Sequence, residues 1–147
     1  MDVEIKIKFI NENDITELPE YTTDGSSGMD IRSSITKTLG PHEVFAIPTN
    51  ISVEIPDGFE LQVRPRSGLA IKNGITVLNT PGTIDSSYRG EIKVILYNVT
   101  DNHYNILKGD RIAQLVLSKV DKVKWNKVDS LSDTKRGSGG FGHTGNQ

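Results

Sequence analysis

The sequence contains no cysteine, which excludes disulfides, thiol catalysis and zinc–thiolate sites together. Histidine is almost as scarce: His42, His103 and His143 stand far apart without metal-ligand spacing, so a histidine-built metal centre is not expected. An excess of one charge is also missing. The chain carries 17 basic and 19 acidic residues for a formal net charge of −2, which implies no general affinity for nucleic acid or membrane. No apolar run approaches a membrane span. The N-terminus alternates charged with apolar residues and has no signal-peptide core, so a cytoplasmic location is expected. Helix formers are sparse, and the hydrophobic share of 35% is low for a large monomer. At 147 residues, the chain is expected to form one domain with a core of its own.

What is present is alternation of period two. Val3, Ile5, Ile7 and Phe9 alternate with Glu4, Lys6 and Lys8, and Phe59-Glu-Leu-Gln-Val-Arg64 repeats the pattern. Further β-rich runs are Met29–Arg32, Val44–Ile47, Ile51–Ile55, Ile75–Leu78, Glu91–Val99, Tyr104–Leu107 and Ile112–Val120, with a last run at Val123–Val128 that holds the only tryptophan, Trp125. Gly-, Pro- and Asn-containing turns such as Pro56-Asp-Gly58, Asn73-Gly74 and Lys108-Gly-Asp110 separate them. Many short strands at this spacing predict an antiparallel sandwich or barrel. One short helix fits, at about Ser67–Lys72. Residues 21–28 are polar and loop-like. Residues 129–147 have almost no large apolar side chain beyond Leu131 and Phe141, so this arm is expected to be mobile until something docks it.

Several segments carry chemistry. In Arg64-Pro-Arg-Ser-Gly-Leu-Ala70, Pro65 stops a strand ladder and Ser67-Gly68 can open a helical turn whose free N–H groups favour an anion, with Arg66 beside it. The same arginine also fits as a side chain snorkelling at a strand end. The stretch 77–94 reads as two strands joined by a long polar connection, with Asp85 and Tyr88 at its tip and Asn79 and Lys93 on its arms. Asp85 is either a turn residue bonding its own backbone or a carboxylate placed to take a proton from water. Gln114 would share the face of Ile112 under strict alternation, a polar side chain on an inner face. Asp30, near the start of a short strand, is placed similarly. At the end of the chain, Arg136-Gly-Ser-Gly-Gly-Phe-Gly-His-Thr-Gly145 has four glycines between 137 and 142. Bare N–H groups there form anion-binding concavities. Arg136 offers a fork for phosphate oxygens, and Phe141 a flat face for a base. A flexible Gly/Ser tail has the same composition.

Taken in order, Gly28-Met-Asp-Ile, Pro65-Arg-Ser-Gly-Leu-Ala, Gly82-Thr-Ile-Asp-Ser-Ser-Tyr-Arg-Gly, Gly109-Asp-Arg-Ile-Ala-Gln-Leu and the glycine-rich tail resemble, one for one, the motifs of the trimeric dUTP diphosphatase (dUTPase) family. Asn79-x-x-x-Thr83-Ile-Asp is similar to bacterial-type members. Met29 stands where members often carry tyrosine, and His143 replaces a frequent serine. The resemblance implies an all-β, distorted jelly-roll-like barrel of the β-clip type over residues 1–147, assembled as a homotrimer, with a mobile C-terminal glycine-rich arm from about residue 130. It implies hydrolysis of dUTP to dUMP and diphosphate with Mg2+, which keeps uracil out of DNA and supplies dUMP for thymidylate synthesis. On matching positions, Asp85 would deprotonate the attacking water. Arg66, Ser67 and Gly68 would hold the phosphates with Gln114 nearby, and Asp30 would reach magnesium through water. Asn79, Thr83, Ile84 and Lys93 would receive uracil, and Tyr88 would exclude a ribose 2′-hydroxyl. Arg136, Gly139, Gly140 and Phe141 would close over the ligand, with each site drawing on three chains.

Two rivals are weighed against this reading. A dCTP deaminase would need a catalytic glutamate beside the tip and lacks such a tail. An inactive β module would have lost Asp85, Arg66 or Phe141, and all three are present.

Overall fold

The computed structural model describes residues 2–14 and 16–146. Among them are eleven strands and one helix: β1 Lys6–Phe9, β2 Met29–Arg32, β3 Lys37–Leu39, β4 Val44–Pro48, β5 Ile51–Glu54, β6 Phe59–Arg64, α1 Ser67–Asn73, β7 Ile75–Val77, β8 Gly82–Ile84, β9 Lys93–Asn98, β10 Tyr104–Ile106 and β11 Arg111–Lys119. Pairing is antiparallel throughout. A four-stranded sheet runs β2-β11-β6-β8, a three-stranded sheet runs β4-β9-β7, and two ladders, β1-β5 and β3-β10, complete the shell. The inward residues of the two larger sheets meet in one core. Ile31, Leu61, Val63 and Leu115 come from the first and Ile47, Val77, Val94 and Leu96 from the second, all nearly inaccessible to solvent. This is the all-β, jelly-roll-type fold expected. No helix among the described residues is long and apolar enough to cross a membrane.

The helix is short for a readable reason. It begins immediately after Pro65, buries none of its residues, and ends at Gly74, whose left-handed backbone (φ 63°, ψ 33°) turns its N–H back to the carbonyls of Ala70 and Leu69. A side chain at Gly74 would also strike Thr100, so both conformation and space require glycine there.

Three expectations need correction. The run Val123–Val128 forms no strand: no segment among the described residues pairs with it, and Val123 and Trp125 are 71% and 89% exposed. Alternation describes a segment able to pair, and pairing needs a partner edge. Gln114 does not share the face of Ile112, because the register shifts between Arg111 and Ala113. That bulge buries Ile112 and Ala113 in succession and turns Gln114 to the opposite face from Ala113 and Leu115. The stretch 77–94 is not one hairpin with a free polar connection. β7 pairs with β9, but the chain between them crosses to the other sheet and adds β8 to the edge of β6.

Asn98 fastens the shell where β9 ends. Fully buried, it donates from Nδ2 to the carbonyls of Leu39, Gly40 and Asn102 at 3.2, 3.0 and 2.7 Å, and its Oδ1 accepts from the N–H and hydroxyl of Thr100. Asn98→Ala strands the buried Leu39 carbonyl and several part-buried groups, so urea unfolding at fixed protein concentration is expected to show a loss of about 2–3 kcal/mol. A midpoint equal to the wild type would contradict this.

Candidate active site

The residues singled out from sequence fall into three groups. The first surrounds Asp30. Register places Asp30 opposite Gln114, and Gln114 opposite Arg64, so these side chains share the outer face of the four-stranded sheet. Asp30 is 8% exposed and lies between two guanidinium groups: Arg66 Nε is 3.4 Å from Oδ1, and Arg111 Nη1 donates to Oδ2 at 3.3 Å. Arg66 Nη1 in turn donates to the carbonyl of Arg111 at 3.3 Å. The carboxylate thus fixes Arg66 beside the start of α1. There, Ser67 and Gly68 are exposed, no side chain caps the helix and no acid occupies its first turn. Two cations against one anion leave the cluster net positive, the polarity a phosphate requires. Oδ1 of Asp30 has no hydrogen-bond partner of good geometry, and no cluster of three or more candidate metal ligands occurs among the described residues.

The second group lies on the β8 side. Thr83, Ile84, Tyr88 and Lys93 line a cavity of about 340 Å3, together with Ala46, Glu91, Ile92 and Ile95. Asn79 is not among the lining residues, but its Nδ2 approaches Gly82 closely enough to contact a Cβ there. Asp85 comes directly after β8 and is exposed. A tight turn joins it to Tyr88, whose N–H donates to the Asp85 carbonyl at 3.0 Å. The Tyr88 hydroxyl donates to the carbonyl of Glu91 at 2.8 Å.

The third group is the arm. Residues 121–138 are exposed throughout, and Phe141 projects fully into solvent with φ at 50°. Arg136 Nε donates to the Gly139 carbonyl at 2.7 Å, and the imidazole of His143 lies so close to Gly139 that a Cβ there would overlap it. The backbone of Gly140 accepts from the N–H of His143. This curl touches neither of the other groups through any hydrogen bond of the described residues.

The first two groups are well separated. Asp85 leaves β8 at the end where Ile84 faces Leu61, whereas Arg66 leaves the opposite end of β6. Asp30 and Arg66 are tied on the β2–β11 side, level with Arg64, while Asp85 lies level with Glu60 beyond the β8 edge. Four residues along the strands and three inter-strand spacings put roughly 15–20 Å between Asp85 and the Asp30 cluster. Arg111 was not singled out from sequence. Its only signal was a charged residue entering a strand straight after the Gly109-Asp110 turn, a position that usually faces solvent.

A family model described as dUTPase matches residues 14–145. Similar curated proteins named deoxyuridine 5′-triphosphate nucleotidohydrolase come from Fusobacterium nucleatum, 52% identical over 96% of this chain and 97% of that protein, and from Chlamydia pneumoniae, 59% identical over 88% and 91%. Among solved structures, the dUTPase of Staphylococcus bacteriophage 80alpha with dUpNHpp superposes with a TM-score of 0.87 at 28% identity, covering 97% of this chain and 98% of that one. The chain belongs to the dUTPase family.

Asp30 is the keystone of the first group. Asp30→Ala leaves two neighbouring guanidinium groups without their counter-charge. With those groups 28% and 43% exposed, a loss of about 2 kcal/mol in chemical unfolding is expected, at the low end for a buried pair. A variant as stable as the wild type would show that the three side chains do not depend on one another.

Proposed function

We propose that this protein is a cytoplasmic dUTP diphosphatase, a single domain working as a homotrimer with magnesium, in which each site is shared between subunits. The observation that carries the reading is the presence, in a chain of this family, of both a net-positive Asp30–Arg66–Arg111 cluster and a nucleoside-sized cavity lined by Thr83, Ile84 and Tyr88, with Asp85 next in the chain after Ile84. Uracil enters between the arms at Asn79 and Lys93, where backbone donors and acceptors can distinguish it from cytosine. Thr83 and Ile84 close the space around it, and Tyr88 lies against the sugar. Asp85 accepts a proton from water as the water oxygen bonds the α-phosphorus. The bond from that phosphorus to the bridging oxygen breaks, and diphosphate leaves with the electron pair. Because the reacting groups are strongly anionic, positioning and neutralisation supply the acceleration. Arg66 with the Ser67 and Gly68 N–H groups receives the phosphates, and Gln114 supports them. Arg136 and the Gly139–Gly140 backbone close the far end, while Phe141 stacks on the base, worth roughly 1–3 kcal/mol.

The donor set suits magnesium on the substrate rather than in a protein cage. A buried carboxylate with one oxygen free of hydrogen bonds, and no cluster of three or more candidate ligands among the described residues, matches an ion that prefers phosphate oxygens and keeps its waters. When bound, the ion neutralises phosphate charge. Asp30 would hold it from the protein side while continuing to orient Arg66.

Sharing between subunits is the consequence of distance. A triphosphate is far shorter than the roughly 15–20 Å between the two groups, which supports the reading that Asp85 and Arg66 of one chain serve different ligands. The exposed apolar surface points the same way. Val123, Trp125 and Leu131 lie bare on the arm, and Leu18 and Tyr21 border an apolar groove of about 260 Å3 with Val3, Ile5 and Leu117. Such surface on a soluble chain marks an interface.

The reading is tested by release of diphosphate from dUTP, with dCTP, dTTP and UTP as comparators and ammonia release scored in parallel. Only dUTP should be hydrolysed efficiently, and ammonia from dCTP would instead mark a deaminase. Asp85→Asn should bind dUTP near the wild-type level with turnover reduced about 10²–10⁴-fold. Turnover within about threefold of wild type would make Asp85 a turn residue and refute the mechanism.

A further inference from the structure

The turn that carries Asp85 and Tyr88 contains a glycine that no backbone angle requires. Gly90 is absent from the residues with positive φ, so its conformation is open to any L-residue. Space is what it lacks. A Cβ on Gly90 would lie 2.5 Å from the Tyr88 hydroxyl oxygen, 2.6 Å from Cζ and 3.0 Å from Cε2. The end of the ring thus fills the space that a side chain at position 90 would take, and its hydroxyl donates to the Glu91 carbonyl.

That carbonyl belongs to a fixed piece of chain. The Ile92 N–H donates to the Ile51 carbonyl at 2.8 Å, and the buried Thr49 hydroxyl donates to the Ile92 carbonyl at 2.6 Å. The Glu91 carboxylate accepts the Asn50 N–H at 2.9 Å. The corner between β4 and β5 therefore anchors the acceptor that Tyr88 uses. A half-exposed ring on a surface turn would ordinarily swing freely. Here one end is held by the main chain of the Asp85 turn and the other by a hydroxyl bond to an immobile carbonyl, with no side chain at position 90 to lift it.

We propose that Gly90 is a specificity-determining position, setting the rejection of ribonucleotides by allowing Tyr88 to be stapled to Glu91 as a rigid wall. The inference rests on the reading of Tyr88 as the sugar-facing wall of the proposed dUTP site. Its physical basis is that an added hydroxyl is excluded strongly only by a wall that cannot yield, since a ring free to tilt accommodates one atom at little cost. Because the Tyr88 oxygen is the atom nearest the new Cβ, an alanine at position 90 can be housed only if the hydroxyl leaves its acceptor. The ring is then released while its chemistry is unchanged.

The test compares the ratio of kcat/KM for UTP to that for dUTP in four variants, with circular dichroism and thermal melting confirming the fold. Tyr88→Ala should raise the ratio by about tenfold or more. Gly90→Ala should raise it in the same direction by about fivefold, although Tyr88 is intact, and Tyr88→Phe, which removes only the hydroxyl bond, should fall between wild type and Tyr88→Ala. Gly90→Ala placed on Tyr88→Ala should add nothing, because both act through the same ring. An unchanged ratio in Tyr88→Ala overturns the sugar-wall reading and this inference with it. A raised ratio in Tyr88→Ala with no change in Gly90→Ala, or an additive double variant, overturns the inference alone. Should Gly90→Ala not be recovered folded, Tyr88→Phe decides, and a wild-type ratio there rejects the staple.

Discussion

Antiparallel pairing between β6 and β8 governs how the chemistry of this chain is distributed. Three residues of each strand face one another, Leu61 with Ile84, Gln62 with Thr83 and Val63 with Gly82. Because the strands run in opposite directions, the chain exits β8 and β6 at opposite ends of the sheet. Asp85 lies just past the first exit and Arg66 just past the second. The proton acceptor and the phosphate clamp of the proposed reaction are thereby separated by the geometry of a single ladder. The register cannot slip to bring them together, since a shift of one residue would turn Leu61, Val63 and Ile84 out of the core. Assembly of several chains around each ligand, as proposed, is the response that this constraint allows.

Within each half, the chain invests in rigidity. Asp30 is clamped between two arginines, so the group that orients Arg66 is itself oriented. On the other side, a few residues between Asp85 and Ile92 hold a turn, a stapled aromatic ring and three hydrogen bonds to the 49–51 corner. Pre-set geometry of this kind matters most where catalysis relies on positioning. The arm is the opposite case. It carries charge, glycine and one aromatic ring but buries almost nothing, so its ordering in the proposed cycle must come from the ligand and neighbouring subunits.

Much of this was legible in the residues. Alternation located most strands because half-buried strands oblige apolar and polar residues to alternate, and Asn73-Gly74 marked the helix end because only a left-handed residue closes it there. The short β3 and β8 escaped notice. Each has three residues, too few to display a period, and β8 is Gly-Thr-Ile in a loop-like setting. Alternation also misplaced Gln114, since a bulge changes the phase of a strand without leaving a mark in composition. At Val123–Val128, the pattern described a strand for which one chain offers no partner. Most candidate site residues came from the family resemblance. Local chemistry alone left Asp85 and Arg66 open between ordinary and functional roles, because the case for the proposed roles depends on where the sheet carries them. Arg111 and Gly90 were missed because the proposals for them rest on contacts with Asp30 and Tyr88 that only the folded chain creates.

The central claim is that Asp85 and Arg66 of the same chain serve different ligands. It is tested most directly by mixing Asp85→Asn chains with Arg66→Ala chains, each inactive alone, under conditions that allow subunit exchange verified by native mass spectrometry. If each site takes its aspartate from one chain and its arginine from another, random mixing in equal amounts leaves about a quarter of sites with both intact, and dUTP hydrolysis should recover to about that fraction of wild type. Exchanged oligomers that remain as inactive as their parents would place both residues in one subunit's site and contradict the account.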